Sequence, residues 1–277
     1  MEILDVLKAL PDWSVLAWLA ICLLVSLLLE AMFPLKRFVN QKLKHDAFNV
    51  GLFVMNLIIV SPLVAGLGIV ALWVEANQIG LLYQINLPVW AELLLAILVL
   101  DLIAQYAVHY VLHHVNWMWR LHVVHHADTN VDASTGTRHH PGDLAFRLVA
   151  ASTAIILFGI PAAFYLVYRF LSGFFSYFTH ANIHLPAELD RLLSYIIVTP
   201  NMHKLHHHYQ APWTDSNFGN LFSFWDRLFG TFDSADAADI HYGLDILDGN
   251  RDLDVLYQLQ APFDKTIDTR YRPGMTS

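Results

Sequence analysis

The chain has 277 residues, 56% of them hydrophobic and 14% charged, whereas an ordinary soluble domain carries roughly 25% charged residues. That balance excludes a disordered or coiled-coil chain, and the single cysteine, Cys22, excludes a disulfide scaffold, thiolate zinc and cysteine-ligated iron–sulfur clusters. A net charge of −8 argues against a nucleic-acid partner, and the 16 histidines equal Lys and Arg combined.

Four apolar stretches organise the chain. The first, Trp13 to Phe33, holds one charge, Glu30, and is long enough to span about 30 Å of hydrocarbon as a helix. A short basic stretch follows: Lys36, Arg37, Lys42 and Lys44. The second apolar stretch, Ala47 to Val74, has no charge. The third runs from Pro88 to Leu112 and contains Glu92 and Asp101. The fourth, Leu148 to Phe178, contains only Arg169. The basic residues before the second stretch face the cytoplasm by the positive-inside rule. The loop from Glu75 to Leu87 has none and faces the opposite side, so the third stretch returns to the cytoplasm and delivers His109 there.

The fourth stretch lies between two histidine-rich regions. If these share one site, the chain crosses an even number of times between them. The stretch is too short for two full spans of about 20 residues each. Phe158-Gly159-Ile160-Pro161 offers a break, since proline ends or kinks a helix. The reading adopted is a short helical hairpin that re-enters the side it left; the alternative is one long, tilted, kinked span. After Asn182 the chain is amphipathic and partly aqueous.

The histidines fall into blocks with metal-ligand spacing. His109 and His113 are i and i+4 near the end of the third stretch, on one helical face. His122, His125 and His126 are i, i+3 and i+4, and His203, His206 and His207 repeat that pattern. His139-His140-Pro141 and His180-Ala181-Asn182-Ile183-His184 lie between them. His45 and His241 are isolated and read as ordinary surface or core residues. One tetrahedral zinc takes four ligands, or three plus water. Eight or nine imidazoles fit two metal ions with open positions.

Imidazole suits zinc, copper, iron and nickel alike. Zinc would favour hydrolysis, yet the second and third blocks contain no Glu or Asp to act as general base. A dry, apolar pocket suits a hydrocarbon substrate. Two redox-active irons can use O2 to attack an unactivated C–H bond, given two electrons from outside.

Asp101, His109, His113, Trp117, Trp119-Arg120, His122, His125-His126, Arg138, His140-Pro141, His180, Asn182, Pro186, Thr199-Pro200, His203, His206-His207, Asp215, Asn217-Phe218-Gly219 and Trp225 to Thr231 together resemble the fatty acid hydroxylase superfamily, and within it the bacterial sterol desaturase family. The likeness covers about Ala91 to Phe232. It implies an all-α, integral membrane helical bundle of about four apolar segments, the last a re-entrant hairpin, with a cytosolic helical cap that carries a histidine-rich dimetal site. With the apolar stretches, it gives membrane helices over 1–90, a catalytic domain over 91–232 and a tail over 233–277. The implied ligands are His109, His113, His122, His125, His126, His203, His206 and His207, with His180 a ninth. His184 and His140 are possible additions. His114 and His208 sit beside the motifs.

Metal-bound imidazoles usually donate their second N–H to a carboxylate or carbonyl. Asp101, Asn182, Asp215, Asn217 and Asp226 are candidates for that support; Asp215 serves equally well as a turn cap. Asp101 lies in an apolar helix, where an ionisable group is costly and functional by default. Trp117, Trp119 and Trp225 suit either a substrate pocket or an aromatic belt.

The implied cofactors are two Fe ions and O2, with Zn a possible substitute. The implied activity is hydroxylation or desaturation of a sterol or fatty-acyl lipid. No G-x-G-x-x-G loop follows a strand, so electrons are expected from a separate donor, a ferredoxin or a b-type cytochrome with its reductase. Arg120, Arg138, Lys204 and Arg227 form a candidate basic patch for an acidic carrier or for lipid headgroups. The expected location is the bacterial inner membrane, with the metal site cytoplasmic. The competing reading is a membrane zinc hydrolase or a non-catalytic metal-binding membrane protein.

Overall fold

The computed structural model describes residues 10–11, 13–37, 41–210, 213–235, 240–244, 246–265 and 267. The architecture is all-α: the described residues form helices and helical turns, with only two isolated β-bridges, Pro34–Ile183 and Ile197–Phe222. In chain order the helices are α1 (Ser14–Met32), α2 (Lys42–Ile59), α3 (Ser61–Asn77), α4 (Val89–Leu100), α5 (Val108–His114), α6 (Asn116–His126), α7 (Pro141–Phe158), α8 (Ala162–His180), α9 (Ala187–Leu193), α10 (Pro200–His206), α11 (Phe224–Phe229) and α12 (Val255–Gln260). Among the described residues, four segments are long and apolar enough to cross a membrane: Ser14–Met32, Ser61–Gln84, Val89–His114 and Pro141–Phe158. Their outer faces are apolar too: Ile69 is 68% and Leu157 60% exposed. Surface of that kind is tolerated in lipid and is a liability in water. The chain is an integral membrane protein.

The second apolar stretch is not one helix. Val60 breaks it, and Pro62 sits in the first turn of α3, where its missing N–H costs nothing. Of its two halves, only α3 falls within a segment long and apolar enough to cross a membrane. Helix α2 runs beside the helical turn Ala133–Thr137, whereas α3 packs along α7.

The break at Gly159-Ile160-Pro161 falls where expected and separates α7 from α8. Gly159 takes the left-handed φ of 70° that closes α7, and Pro161 precedes α8. A Cβ on Gly80, in the loop after α3, would lie 2.1 Å from the Gly159 nitrogen, so the tip closes only on a glycine. The arms have 18 and 19 residues, each roughly 27 Å or more in length. Both outrun the apolar stretch because their ends away from the tip are buried in protein. There, α7 carries Asp143 and α8 carries His180, so the chain leaves the histidines and returns to them.

Helices α4 and α5 are joined by a π-helical segment, Asp101–Ala107, making one element from residue 89 to 114. Single wide turns of this kind recur at functional sites. Here the buried Asp101 carboxylate accepts the backbone N–H groups of Leu221 and Phe222 and the Trp225 Nε1–H. It anchors the loop that leads into α11.

The main core packs Leu67, Ala71 and Val74 of α3 against Leu100, Ile155 and Phe164. A second cluster joins α1 to α8 through Leu19, Cys22 and Tyr177. Part of the expected tail, including residues 236–239 and 268–277, lies outside the described residues. Its middle folds back onto the cap. Arg120 of α6 donates to the carbonyls of Pro262 and Asp264, and Arg138 to that of Asp252.

Candidate metal centre

Two groups of buried histidines face each other within the cap. His109, His113, His122, His126 and His206 present ring nitrogens that all lie within 4.8 Å of one another. His125, His180, His203 and His207 do the same. The helices dictate this partition. In α6, residues 122 and 126 share a face while His125 turns to the other group, and α10 divides His206 from His203 and His207 in the same way. The groups abut: the His126 and His207 rings stack at 4.6 Å, and the His122 and His125 centroids are 5.2 Å apart.

Six of the nine rings, those of His109, His113, His122, His125, His180 and His206, are oriented through their outer nitrogen. Nδ1–H of His109 donates to the Phe218 carbonyl, of His125 to Arg138, of His180 to Ser176 and of His206 to Ser216. His122 donates to Asp143 at 2.8 Å, and His113 faces Asp215 at 3.2 Å. A proton held on Nδ1 leaves a lone pair on Nε2. Yet the Nε2 atoms of His109 and His122 are 3.0 Å apart, those of His125 and His180 3.1 Å, and those of His180 and His203 3.0 Å. Lone pairs converging at that distance repel unless a cation lies among them. Nε2 of His206 and both ring nitrogens of His207 are buried with no hydrogen-bond partner among the described residues. Protonation does not supply the positive charge. Burial first, then neighbouring imidazoles, hold His125, His126, His203 and His207 well below the ordinary histidine range. Neutral imidazoles are the form metals bind. The donor set therefore fits two ions, one with five nitrogens in reach and one with four.

The nine histidines singled out by motif all fall in these two groups. The two possible additions do not. His184 is exposed, and its backbone N–H donates to the Phe33 carbonyl. His140 caps α7, its ring accepting the Gly142 N–H. His114 is exposed, stacked on Tyr110, and His208 is engaged by the Gln210 N–H.

Of the supporting polar residues, only Asp215 faces a histidine directly. Asp226 accepts the N–H groups of Phe218 and Gly219 and so positions the carbonyl that holds His109. Asn217, at a φ of 55°, bridges Met202 and Asp233. Asn182 binds Lys36 backbone, pinning the α1–α2 connection, and Asp101 holds the α11 loop. Asp143 carries a role the motif reading did not give it. His139, Asp143 and Arg147 are spaced i, i+4, i+8, which is the signal that points to it. The carbonyl partners leave no trace in residue identity.

The candidate basic patch is dispersed. Arg138 and Lys204 are fully buried, Arg120 is spent on carbonyls, and Arg227 stacks on Phe232 and donates to Ser194. With two of the four fully buried, they do not form a common exposed patch. Trp119 is buried against His113 and His126, Trp225 is tied to Asp101, and Trp117 is exposed against Phe146. None lines the cavity described next.

A cavity of about 210 Å³ opens beside the second group. His109, His125, His180 and His203 form one end. Its walls are largely apolar, from Phe53, Leu57, Val64, Leu148 and Ala151. It extends between α2, α3, α7 and α8.

Residues 93–231 match the family described as fatty acid hydroxylase. The chain belongs to that family. Alkylglycerol monooxygenase of Caenorhabditis elegans is 29% identical over 47% of this chain and 25% of its own length. Ornithine lipid hydroxylase OlsE of Rhizobium tropici is 28% identical over 46% of this chain and 38% of its own. A cholesterol 25-hydroxylase-like protein of C. elegans is 27% identical over 57% of this chain and 51% of its own. The matched region thus spans a quarter to about half of these relatives. No solved structure matches the chain. The family match runs from α4 to the turn after α11, so it contains both histidine groups.

Proposed function

We propose that this fatty acid hydroxylase family protein is a membrane lipid oxygenase with two irons held by His109, His113, His122, His126 and His206 on one side and His125, His180, His203 and His207 on the other. The observation that carries the reading is the pair of buried, all-imidazole groups at the end of an apolar cavity in a membrane framework. When bound, the two irons supply the redox chemistry that couples O2 to cleavage of a C–H bond. A hydroxylation balances as substrate, O2, two electrons and two protons giving alcohol and water; desaturation draws on the same inputs and leaves two waters.

The chain's own residues do the rest. The carbonyls of Phe218, Arg138, Ser176 and Ser216, with Asp143 and Asp215, hold the rings in place. The apolar walls exclude water and align a hydrocarbon with the histidine end. The names of the relatives, monooxygenase and hydroxylase, support an oxygenase over the zinc hydrolase reading. The re-entrant hairpin and a metal site on the cytoplasmic face of a bacterial inner membrane complete the proposal. They rest on the basic residues Lys36, Arg37, Lys42 and Lys44. Zinc stands above iron(II) in affinity, so zinc found in the purified protein would be an occupant of the same sites.

The test is lipid mass spectrometry under 18O2. Purified protein is loaded with iron and given membrane lipid, NADPH, a reductase and a small electron carrier. A lipid that gains one 18O atom, or loses two hydrogens, only in the complete mixture is expected. An unaltered lipid profile in the complete mixture, or product formed without O2, overturns the proposal.

A further inference from the structure

Two arginines line the cavity, and they differ in one respect. Arg147 of α7 is neutralised: its Nε donates to Asp143 at 2.9 Å and its Nη1 to Gln105 at 2.7 Å. Arg169 of α8 makes no hydrogen bond or ion pair with any described residue, although it is only partly exposed and sits midway along an apolar helix. Tyr165, Tyr168 and Tyr177 are its polar neighbours on the same cavity wall. A cation at such depth is costly unless something pairs with it.

The position of Arg169 along α8 gives that pairing a geometry. Tyr165, Arg169, Ser172, Ser176 and His180 succeed one another down the cavity side of the helix. His180 belongs to the four-histidine group. Eleven residues separate it from Arg169, a rise of roughly 16 Å. Between the two lie small and neutral polar groups: Ser172 Oγ accepts from Gln105 and Asn220, and Gly136 and Gly173 line the wall. The cavity therefore has an uncompensated positive charge towards one end, histidines at the other, and a channel between them suited to a chain.

We propose that Arg169 binds the anionic head group, carboxylate or phosphate, of a single-chain lipid that enters with its tail towards the histidines. The carbon presented to the metal centre then lies well down the chain from that head group, and Arg169 sets both the lipid class and the position oxidised. The identification of this lipid as substrate rests on the oxygenase reading. The binding step does not, because it needs neither iron nor O2.

The experiment uses the full chain in detergent micelles, without added metal. Binding of palmitate, monohexadecyl phosphate and 1-hexadecanol is measured on wild type, R169K and R169Q. The three probes share a sixteen-carbon chain and differ in head group. Wild type is expected to bind at least one anion about tenfold or more tighter than the alcohol, the scale of a charge-assisted hydrogen bond. The tighter of the two identifies the head-group chemistry. R169Q is expected to lose that preference while keeping its affinity for hexadecanol, which shows the cavity intact; R169K is expected to keep most of it. A palmitate with a diazirine at its methyl end is expected to cross-link to the peptides around Gly136–His139 and Ser176–His180. Equal binding of anions and alcohol by wild type, an anion preference that survives in R169Q, or cross-links at the exposed face of α1 would each overturn the proposal. Should R169Q fail to fold, the wild-type preference and the cross-link map decide alone. Anion binding by a protein with no oxygenase activity would preserve this inference and sink the proposed function; the reverse outcome would do the opposite.

Discussion

His122 and Asp143 are joined by a 2.8 Å hydrogen bond between Nδ1 and a carboxylate oxygen, with both side chains fully buried. The same carboxyl group takes Arg147 on its other oxygen and faces His139 at 3.1 Å. It thus fixes a ring of the five-histidine group and neutralises the arginine beside the cavity. Outer partners of this kind typically change metal affinity about 10- to 100-fold when lost. Asp143→Asn keeps the shape and removes the charge. Titration of iron(II) into the metal-free variant is expected to show one of two sites weakened by that factor and the other unchanged. Two sites of wild-type affinity would remove Asp143 from the metal centre.

The partition into five and four ligands makes a sharper prediction. His206→Ala and His180→Ala strike different groups. Each variant is expected to fall from two irons per chain towards one and to lose activity by more than about a hundredfold, while still inserting, since the apolar segments do not depend on these rings. The double variant is expected to hold none. Retention of two ions by either single variant would redraw the ligand set.

The histidine groups were legible in the sequence because helical spacing converts directly into shared faces: His122-x-x-His125-His126 and His203-x-x-His206-His207 need no tertiary information to read. The break between α7 and α8 was legible from Gly159 and Pro161, residues whose backbone limits are local. What holds the rings was mostly hidden. Four of their partners are main-chain carbonyls, which every residue carries, so identity says nothing about which ones are aimed inward. Asp101, Asn182 and Asp226 looked like partners of histidine and instead brace the loops and connections around the site. The basic patch failed for a related reason: residue type reports charge, not whether that charge is buried, as Arg138 and Lys204 are.

The proposed hairpin implies a topology that labelling can check. Asn130 and Glu188 are exposed on the cap that holds the histidines, and Asn77 is exposed near the hairpin tip. Single cysteines at these positions, in a Cys22→Ser background, are expected to divide two against one. N130C and E188C react with a membrane-impermeant maleimide from the cytoplasmic side, and N77C only from the other. Labelling of N130C and E188C from opposite sides would mean that α7 and α8 form an odd crossing.

A polar knot joins the N-terminal helices to the cap, and its ionisation predicts how stability follows pH. His45 of α2 lies between Asp128, at 2.8 Å from Nε2, and Asp132, at 3.2 Å from Nδ1. Lys42 bridges Glu30, Asp46 and Asp132 beside it. Burial alone would lower the His45 pKa, but Asp128, with Asp132 and Asp46, overcomes it and pushes the imidazole up to about 12. Burial likewise acts to raise Asp128 and Asp132, and is overcome: His45 and Arg138 hold Asp128 well below the usual carboxylate range, and His45 and Lys42 bring Asp132 down to about 2. A histidine whose folded pKa is raised contributes stability that is complete below its unfolded value of about 6.5 and declines as pH rises towards the folded one. The carboxylates act in the opposite sense: their contribution is complete above about 4 and fades as pH falls towards the folded values. Between these limits the knot is at full strength. His45→Gln removes the imidazolium, so the melting temperature of the variant in detergent should fall furthest below wild type near pH 5 to 6, with the gap narrowing steadily from about pH 7 to pH 10. A gap that stays constant over that range would mean His45 is neutral in the folded protein and that the α2–cap junction is held by neutral hydrogen bonds.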